Sequence, residues 1–142
     1  MQTDVIVIGS GVIGLSVSYY LAKGGYKVVL VEKEKSFGLH SSSRNTEVIH
    51  AGIYYQTNSL KHKLCIRGKN LLYTFLKYFS VNFNKCGKYF ISNSDQELNN
   101  LIYLKKIGEQ NGLNDLDIYD YDYVKKNEPL LKAKNILLSP SS

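Results

Sequence analysis

A chain of 142 residues, 44% hydrophobic and 21% charged, has the size and composition of one globular domain or part of a larger one, and excludes a disordered or fibrous chain. The formal charge is +6, yet 16 of the 18 basic residues are lysines scattered along the chain (Lys23, Lys27, Lys33, Lys35, Lys61, Lys63, Lys69) among 12 Asn and 12 Tyr. That is the pattern of a solvated surface, so a nucleic-acid partner is not expected.

Asp4 to Ile8 (DVIVI) predicts a buried strand, and Gly9-Ser10-Gly11-Val12-Ile13-Gly14 follows it directly. A helix is expected over Val12 to Lys23, with Ile13, Val17 and Leu21 as an apolar stripe and Gly24-Gly25 as its stop. Val28 to Val31 is apolar without alternation, as a parallel strand covered on both faces should be, and Glu32 follows it. Strand, glycine turn, helix, strand and acid form the dinucleotide-binding βαβ unit. Gly9 makes the tight exit from the strand, Gly11 admits a pyrophosphate close to the backbone, and Gly14 lets the helix lie on the sheet. The helix start offers free N–H groups and a partial positive charge. Glu32 lies about 20 residues beyond the turn, where an acid accepts hydrogen bonds from ribose and disfavours a 2'-phosphate.

Glu34 to Thr57 is rich in Ser, Gly and Asn, too polar for a core and too specific in its residues for a linker. A second helix is expected from Ser59, its N-cap, to about Phe79. Leu60, Leu64, Leu71, Leu72, Phe75, Leu76 and Phe79 fall mostly on one of its faces, and Gly68 suggests a close contact or a nearby ligand. Gly87 to Ser92 predicts a strand. Ser94 caps a helix from Asp95 to Asn111, which Gly112 ends, and Tyr121 to Glu128 predicts a short helix stopped by Pro129. Two parallel strands do not make a nucleotide-binding sheet, so the sequence is expected to be the N-terminal piece of a larger enzyme.

Cys65 and Cys86 have no CxxC or metal spacing, and His40, His50 and His62 form no close-set signature, so neither a disulfide framework nor a metal is expected. No apolar stretch approaches the roughly 20 residues that span a bilayer. A strand is expected from residue 4, so a secretory signal is not expected. A cytoplasmic location is expected.

HSSSRNTEVIHAGIYY (His40–Tyr55) and SLKHKLC (Ser59–Cys65), with GSGVIGLSVSYYLAKGG, VVLVEKE, KCGKYFIS and NEPLL, resemble the FAD-dependent oxidoreductases of the D-amino-acid-oxidase superfamily, and within it the L-2-hydroxyglutarate dehydrogenase branch. The resemblance implies an α/β fold: residues 1–80 as the N-terminal part of a Rossmann-like FAD-binding domain of the GR2 type, and 81–142 as the start of a mixed α+β substrate domain. It implies that Gly9, Gly11 and Gly14, with the Val12 and Ile13 N–H groups, hold the FAD pyrophosphate. Glu32 then binds the adenosine ribose with Lys33 at the adenine end. Ser42, Ser43, Arg44, Asn45 and Thr46 lie along the pyrophosphate, ribityl chain and flavin, and His50, Ala51 and Gly52 approach the isoalloxazine ring. Arg44 can fork onto phosphate oxygens, although a merely solvated arginine is equally compatible with so polar a loop. An imidazole at His50 suits a general base; a core histidine or a purely positional flavin contact remains open. Glu47 departs from the branch, which more often has Gly at that point.

The implied reaction is oxidation of a small 2-hydroxy acid, L-2-hydroxyglutarate to 2-oxoglutarate, by hydride transfer to flavin N5. A quinone or electron-transfer acceptor would reoxidise the flavin, making a peripheral position at the inner membrane compatible with the absence of a spanning helix. Three rivals remain: an amine or amino-acid oxidase of the same superfamily, a non-catalytic truncated fragment, and an NAD enzyme, in which the His40–Gly52 segment has no role.

Overall fold

The computed structural model describes residues 2–142. The chain divides into two compact units, one ending at Glu47 and the other spanning Val48–Ser142.

In the first unit, β1 (Val5–Ile8) and β2 (Val28–Val31) pair in parallel, in register from Val5↔Val28 to Ile8↔Val31. Helix α1 (Val12–Lys23) is the crossover that a parallel pair needs. The face of α1 turned to the sheet is Gly11, Gly14, Ser18 and Leu21, half-buried at helical spacing. Of the apolar stripe expected there only Leu21 lies on that face: Ile13 is 74% exposed and Val17 is exposed as well. A Cβ on Gly14 would come 1.8 Å from the Gly9 carbonyl oxygen, which explains why the helix start can lie on the turn. Ile6 and Ile8, 60% and 86% exposed, leave one sheet face bare among the described residues, where cover on both faces was expected. Beyond β2 the chain makes one short 3₁₀ turn, Ser41–Ser43.

The second unit is built on a three-stranded antiparallel sheet in the order β3-β5-β4, with β3 Lys88–Ser92, β4 Asp117–Tyr119 and β5 Asn135–Ser139. The register runs from Lys88↔Ser139 to Ser92↔Asn135 on one side and from Asp117↔Leu138 to Tyr119↔Ile136 on the other. Side chains alternate across a strand, so neighbours Ile136 and Leu137 enter opposite cores, and neither is exposed. Leu137 joins Ala51, Ile53, Leu101, Leu113 and Leu116 beneath α3 (Asp95–Gln110). Ile136 joins Val124 of α4 (Tyr121–Asn127) and Ala133. Each such fully buried aliphatic side chain contributes about 1.5–3 kcal/mol.

The long helix α2 (Leu60–Tyr78) starts at Ser59, whose hydroxyl accepts from the His62 amide at 3.1 Å. Its inward face is His62, Cys65, Ile66, Lys69, Tyr73 and Leu76, a regular i, i+3, i+4, i+7 series. Of the apolar residues expected mostly on one face, Leu76 lies inward and Leu60, Leu64, Leu71, Leu72, Phe75 and Phe79 are exposed, Leu60 at 73%. Nothing lies within 4 Å of a Cβ on Gly68, so the close contact expected there is absent among the described residues.

Candidate functional site

The tight turn after β1 places Gly9 at φ +95°, a conformation that L side chains rarely adopt, and its N–H donates to the Val31 carbonyl at 2.7 Å. Gly11 is the N-cap of α1 and offers no side chain to the first-turn amides. The Val12 amide instead donates to Ser42 Oγ at 2.9 Å. A Cβ on Gly11 would meet that same hydroxyl at 3.1 Å. The glycine turn, the helix start and the serine of the 3₁₀ turn therefore close on one point, where a helix N-terminus favours negative charge.

Glu32 follows β2 and its carboxylate faces the same turn. Oε2 accepts from Ser10 N–H at 2.7 Å and from Ser10 Oγ at 2.8 Å; Oε1 accepts from the amides of Lys33 at 2.8 Å and Glu34 at 3.0 Å. Four donors match the acceptor capacity of a carboxylate. The Ser10 amide first, then the Glu34 amide and the Ser10 hydroxyl, hold its pKa down at about 2, so the group is an anion throughout the physiological range. Ser10 is buried, an unremarked position of the glycine motif that the sequence reading left without a role.

A cleft of about 530 Å³ opens at this point. It gathers Gly9, Gly11, Glu32, Lys33 and Ser42 of the expected cofactor residues. Glu34, Ser36, Gly38, Leu39, His40 and Ser41 also line it, none of them expected as a cofactor residue from the sequence. Their signal was position alone, between the acid that ends β2 and the serine run. His40 Nε2 lies 3.1 Å from Glu34 Oε1, which ties the far wall together. Val12, Ile13 and Gly14 lie on α1 behind the cleft. Ser43, Arg44, Asn45 and Thr46 are exposed in the same unit and do not line the cleft. Asn45 is spent on the backbone, donating to the Ser41 and Ser42 carbonyls at 3.2 and 3.1 Å and accepting from the Glu47 amide at 2.8 Å. Glu47 itself is left-handed, φ +56°.

His50, Ala51 and Gly52 belong to the second unit. His50 is half-buried, its Nδ1 is 3.5 Å from the Tyr54 hydroxyl, and its carbonyl accepts from the Cys65 thiol at 3.2 Å. No partner for His50 Nε2 is found among the described residues. Ala51 and Gly52 are buried, and a Cβ on Gly52, φ +93°, would meet Ile66 Cγ1 at 3.3 Å. Burial pushes the Cys65 thiol above its ordinary pKa, which makes it a donor to a carbonyl and a poor nucleophile. No group of three or more His, Cys, Asp or Glu able to hold a metal occurs among the described residues. No helix among them is long and apolar enough to cross a membrane.

Residues 4–142 match the family model described as DAO, FAD dependent oxidoreductase. The chain belongs to the DAO family. This DAO-family chain is 40% identical over 141 residues to the mitochondrial L-2-hydroxyglutarate dehydrogenase of Arabidopsis thaliana, covering 99% of the chain and 29% of that protein. The human protein of the same name is 34% identical over 132 residues, covering 92% of the chain and 28% of the relative. The chain thus spans about three tenths of the length of the curated relatives it matches. Among solved structures it resembles the dithionite-reduced L-alpha-glycerophosphate oxidase of Mycoplasma pneumoniae with FAD bound, at TM-score 0.85 and 30% identity over 98% of this chain and 38% of that one. Glycine oxidase from Bacillus cereus, at TM-score 0.86 and 22% identity over 99% and 40%, shares the fold.

The cleft suits the FAD of this family on its own terms. Gly11 presents bare backbone where a Cβ would crowd Ser42 Oγ, it lends the helix start no capping side chain of its own, and a permanent carboxylate lines the same cleft.

Proposed function

We propose that the full-length protein oxidises a small 2-hydroxy acid, L-2-hydroxyglutarate to 2-oxoglutarate, with FAD as the bound cofactor. The observation that carries the reading is the cleft in which Gly9, Gly11 and Glu32 meet at the start of α1; the names and 34–40% identities of the relatives support the substrate. Bound FAD supplies the two-electron acceptor.

Gly9, Gly11 and Gly14 keep the turn free of side chains, and the Val12 and Ile13 amides face the pyrophosphate. The Val12 N–H, which donates to Ser42 Oγ, and the Ser42 hydroxyl would hold the phosphate oxygens as donors. Glu32 accepts the ribose hydroxyls in exchange for the Ser10 hydroxyl, and its lasting negative charge excludes a 2'-phosphate. Lys33 serves the adenine end. Ser43, Arg44, Asn45 and Thr46 follow the chain of the cofactor towards the flavin, Arg44 as a cation for phosphate. Ala51 and Gly52 give the ring a surface without bulk. His50 takes the substrate hydroxyl proton on Nε2, with Tyr54 at Nδ1 orienting the imidazole. A quinone or another electron carrier accepts the electrons.

The test is an anaerobic absorbance spectrum of the full-length protein with and without L-2-hydroxyglutarate. Flavin bands that bleach carry the proposal. Bands that persist with this acid but bleach with an amino acid or a glycerol phosphate overturn the substrate and leave the cofactor. A colourless folded protein overturns both. Gly11→Val should lose the flavin, and His50→Ala should keep it while slowing its reduction.

A further inference from the structure

Asn111, the C-cap residue of α3, is 3% exposed, and its side chain is engaged far from its own helix end. Its Nδ2 donates to the carbonyls of Gly52 at 3.0 Å, Ile53 at 3.2 Å and Tyr55 at 2.9 Å. Its Oδ1 accepts from the Thr57 hydroxyl at 2.7 Å, which fixes which way the amide faces. Its own carbonyl accepts from His62 Nε2 at 3.2 Å, while His62 Nδ1 accepts from the Asn58 amide at 3.1 Å. With Nδ1 an acceptor, the ring proton is on Nε2, and no polar atom of the buried pair lacks a partner. One side chain therefore ties the backbone of residues 52–57 to the end of α3. Cys65 and Ile66 hold the same segment from α2, at the His50 carbonyl and against Gly52.

A C-cap asparagine needs none of these bonds to end a helix, because Gly112 at φ +87° already supplies the stop. The bonds go instead to three carbonyls of the segment that carries His50, Ala51 and Gly52, where Gly52, at φ +93°, is itself in a conformation that L side chains rarely adopt. We propose that Asn111 is a positioning residue for catalysis: through the Gly52, Ile53 and Tyr55 carbonyls it sets where His50 and the Ala51-Gly52 backbone meet the flavin. This rests on the reading of that segment as the flavin-facing one. A misplacement of the order of an ångström at a reacting group costs up to about a hundredfold in rate, so the effect belongs in the chemical step more than in the amount of FAD held.

The experiment uses the full-length, FAD-loaded protein and stopped-flow flavin reduction by L-2-hydroxyglutarate. Asn111→Asp keeps the shape but removes both N–H donors and sets a carboxylate against three carbonyl oxygens. Thr57→Val is milder: it removes only the hydroxyl that orients the amide. Val124→Ala, a truncation in the other core of the same unit, away from Ala51 and Ile53, reports plain loss of stability. All are measured well below their unfolding temperatures, with FAD content determined alongside. The expected result is a fall of about ten- to a hundredfold in the limiting reduction rate for Asn111→Asp, a smaller fall for Thr57→Val, and a shifted flavin absorption band in both. Val124→Ala should reduce flavin at the wild-type rate. If Asn111→Asp does not fold, Thr57→Val decides: a wild-type rate and spectrum overturn the positioning role. A rate loss in Val124→Ala equal to that of the Asn111 and Thr57 variants overturns it too, as mere destabilisation. A wild-type protein that holds no flavin overturns the underlying reading; a flavin-bearing wild type matched by its variants overturns this inference alone.

Discussion

Gly14 and Gly68 are both interior glycines of helices, and the same change to alanine should have opposite signs at the two. Alanine is the better helix former by about 0.8–1 kcal/mol. At Gly68 a Cβ meets nothing within 4 Å, so that gain should appear nearly whole. At Gly14 the Cβ would come 1.8 Å from the Gly9 carbonyl oxygen, 3.0 Å from its carbon and 3.6 Å from Val7 Cγ1. The nearest obstacle is backbone, which no rotamer change can move aside. Relief to the 3.0 Å that real Cβ atoms keep requires the helix start and the turn to part by 1.2 Å (3.0 less 1.8). Overpacking costs about 1–3 kcal/mol when side chains can adjust, and a backbone contact belongs at the upper end of that range. The net loss after the helix-forming gain is about 2 kcal/mol. Thermal unfolding of the full-length protein, followed by the flavin fluorescence that rises when the cofactor leaves, should show a midpoint about 4–8 °C lower for Gly14→Ala. Gly68→Ala should shift it up by about 2–4 °C. A Gly14→Ala midpoint at or above wild type would refute the contact between α1 and the Gly9 turn.

Glu47 adopts φ +56°, which costs a side-chain-bearing residue about 1–2 kcal/mol. Glu47→Gly removes that cost and loses about 0.4–1 kcal/mol through the freer unfolded chain; the unfolding midpoint should rise slightly with FAD content unchanged, and a fall would count against the assigned backbone. Glu32, with its pKa lowered from 4.5 to about 2, contributes stability that is complete above pH 4.5 and disappears as pH falls through 2. In acid titrations the stability gap between wild type and Glu32→Gln should therefore narrow between pH 4.5 and 2; a constant gap would show that the four donors do not favour the anion. Ser59→Ala removes the cap on the His62 amide and should cost about 1 kcal/mol without loss of flavin; unchanged urea unfolding would deny Ser59 the capping role.

Elements whose signals are local were legible. The glycine turn and the acid after β2 announced the first unit. Ser59, Ser94 and Gly112 marked helix ends that the structure keeps. Strands β4 and β5 were not legible. Asp117–Tyr119 is three residues long, and Asn135–Ser139 takes its identity from Lys88–Ser92, whose pairing with it spans a separation no short window contains. The apolar faces of α1 and α2 were legible as apolar, and most of their residues are exposed, with Leu21 and Leu76 half-buried. Periodicity reports a face that some partner covers, while the contacts made inside this chain run through Gly14 and Ser18 on one helix and through His62 and Cys65 on the other. In the site, glycines and Glu32 could be read because their roles follow from backbone geometry. Ser10 and Asn111 could not, since a serine within a glycine motif and an asparagine before a glycine have ordinary local explanations, and their partners lie 22 and 54–59 residues away.

Among the described residues, β1 and β2 have only each other as neighbours, so both strands carry an open backbone edge beside the bare Ile6 and Ile8. Translation proceeds at about 5–20 residues per second, so the first unit waits several seconds at the ribosome while the 95 residues of Val48–Ser142 are made. Through that interval its sticky face can meet other nascent chains or a chaperone. The strands are only four residues long, with Lys27 and Lys33 at their ends, and short charged edges resist pairing with strangers. Yield on overproduction should consequently depend on growth temperature and chaperone supply more than on the buffer chosen afterwards.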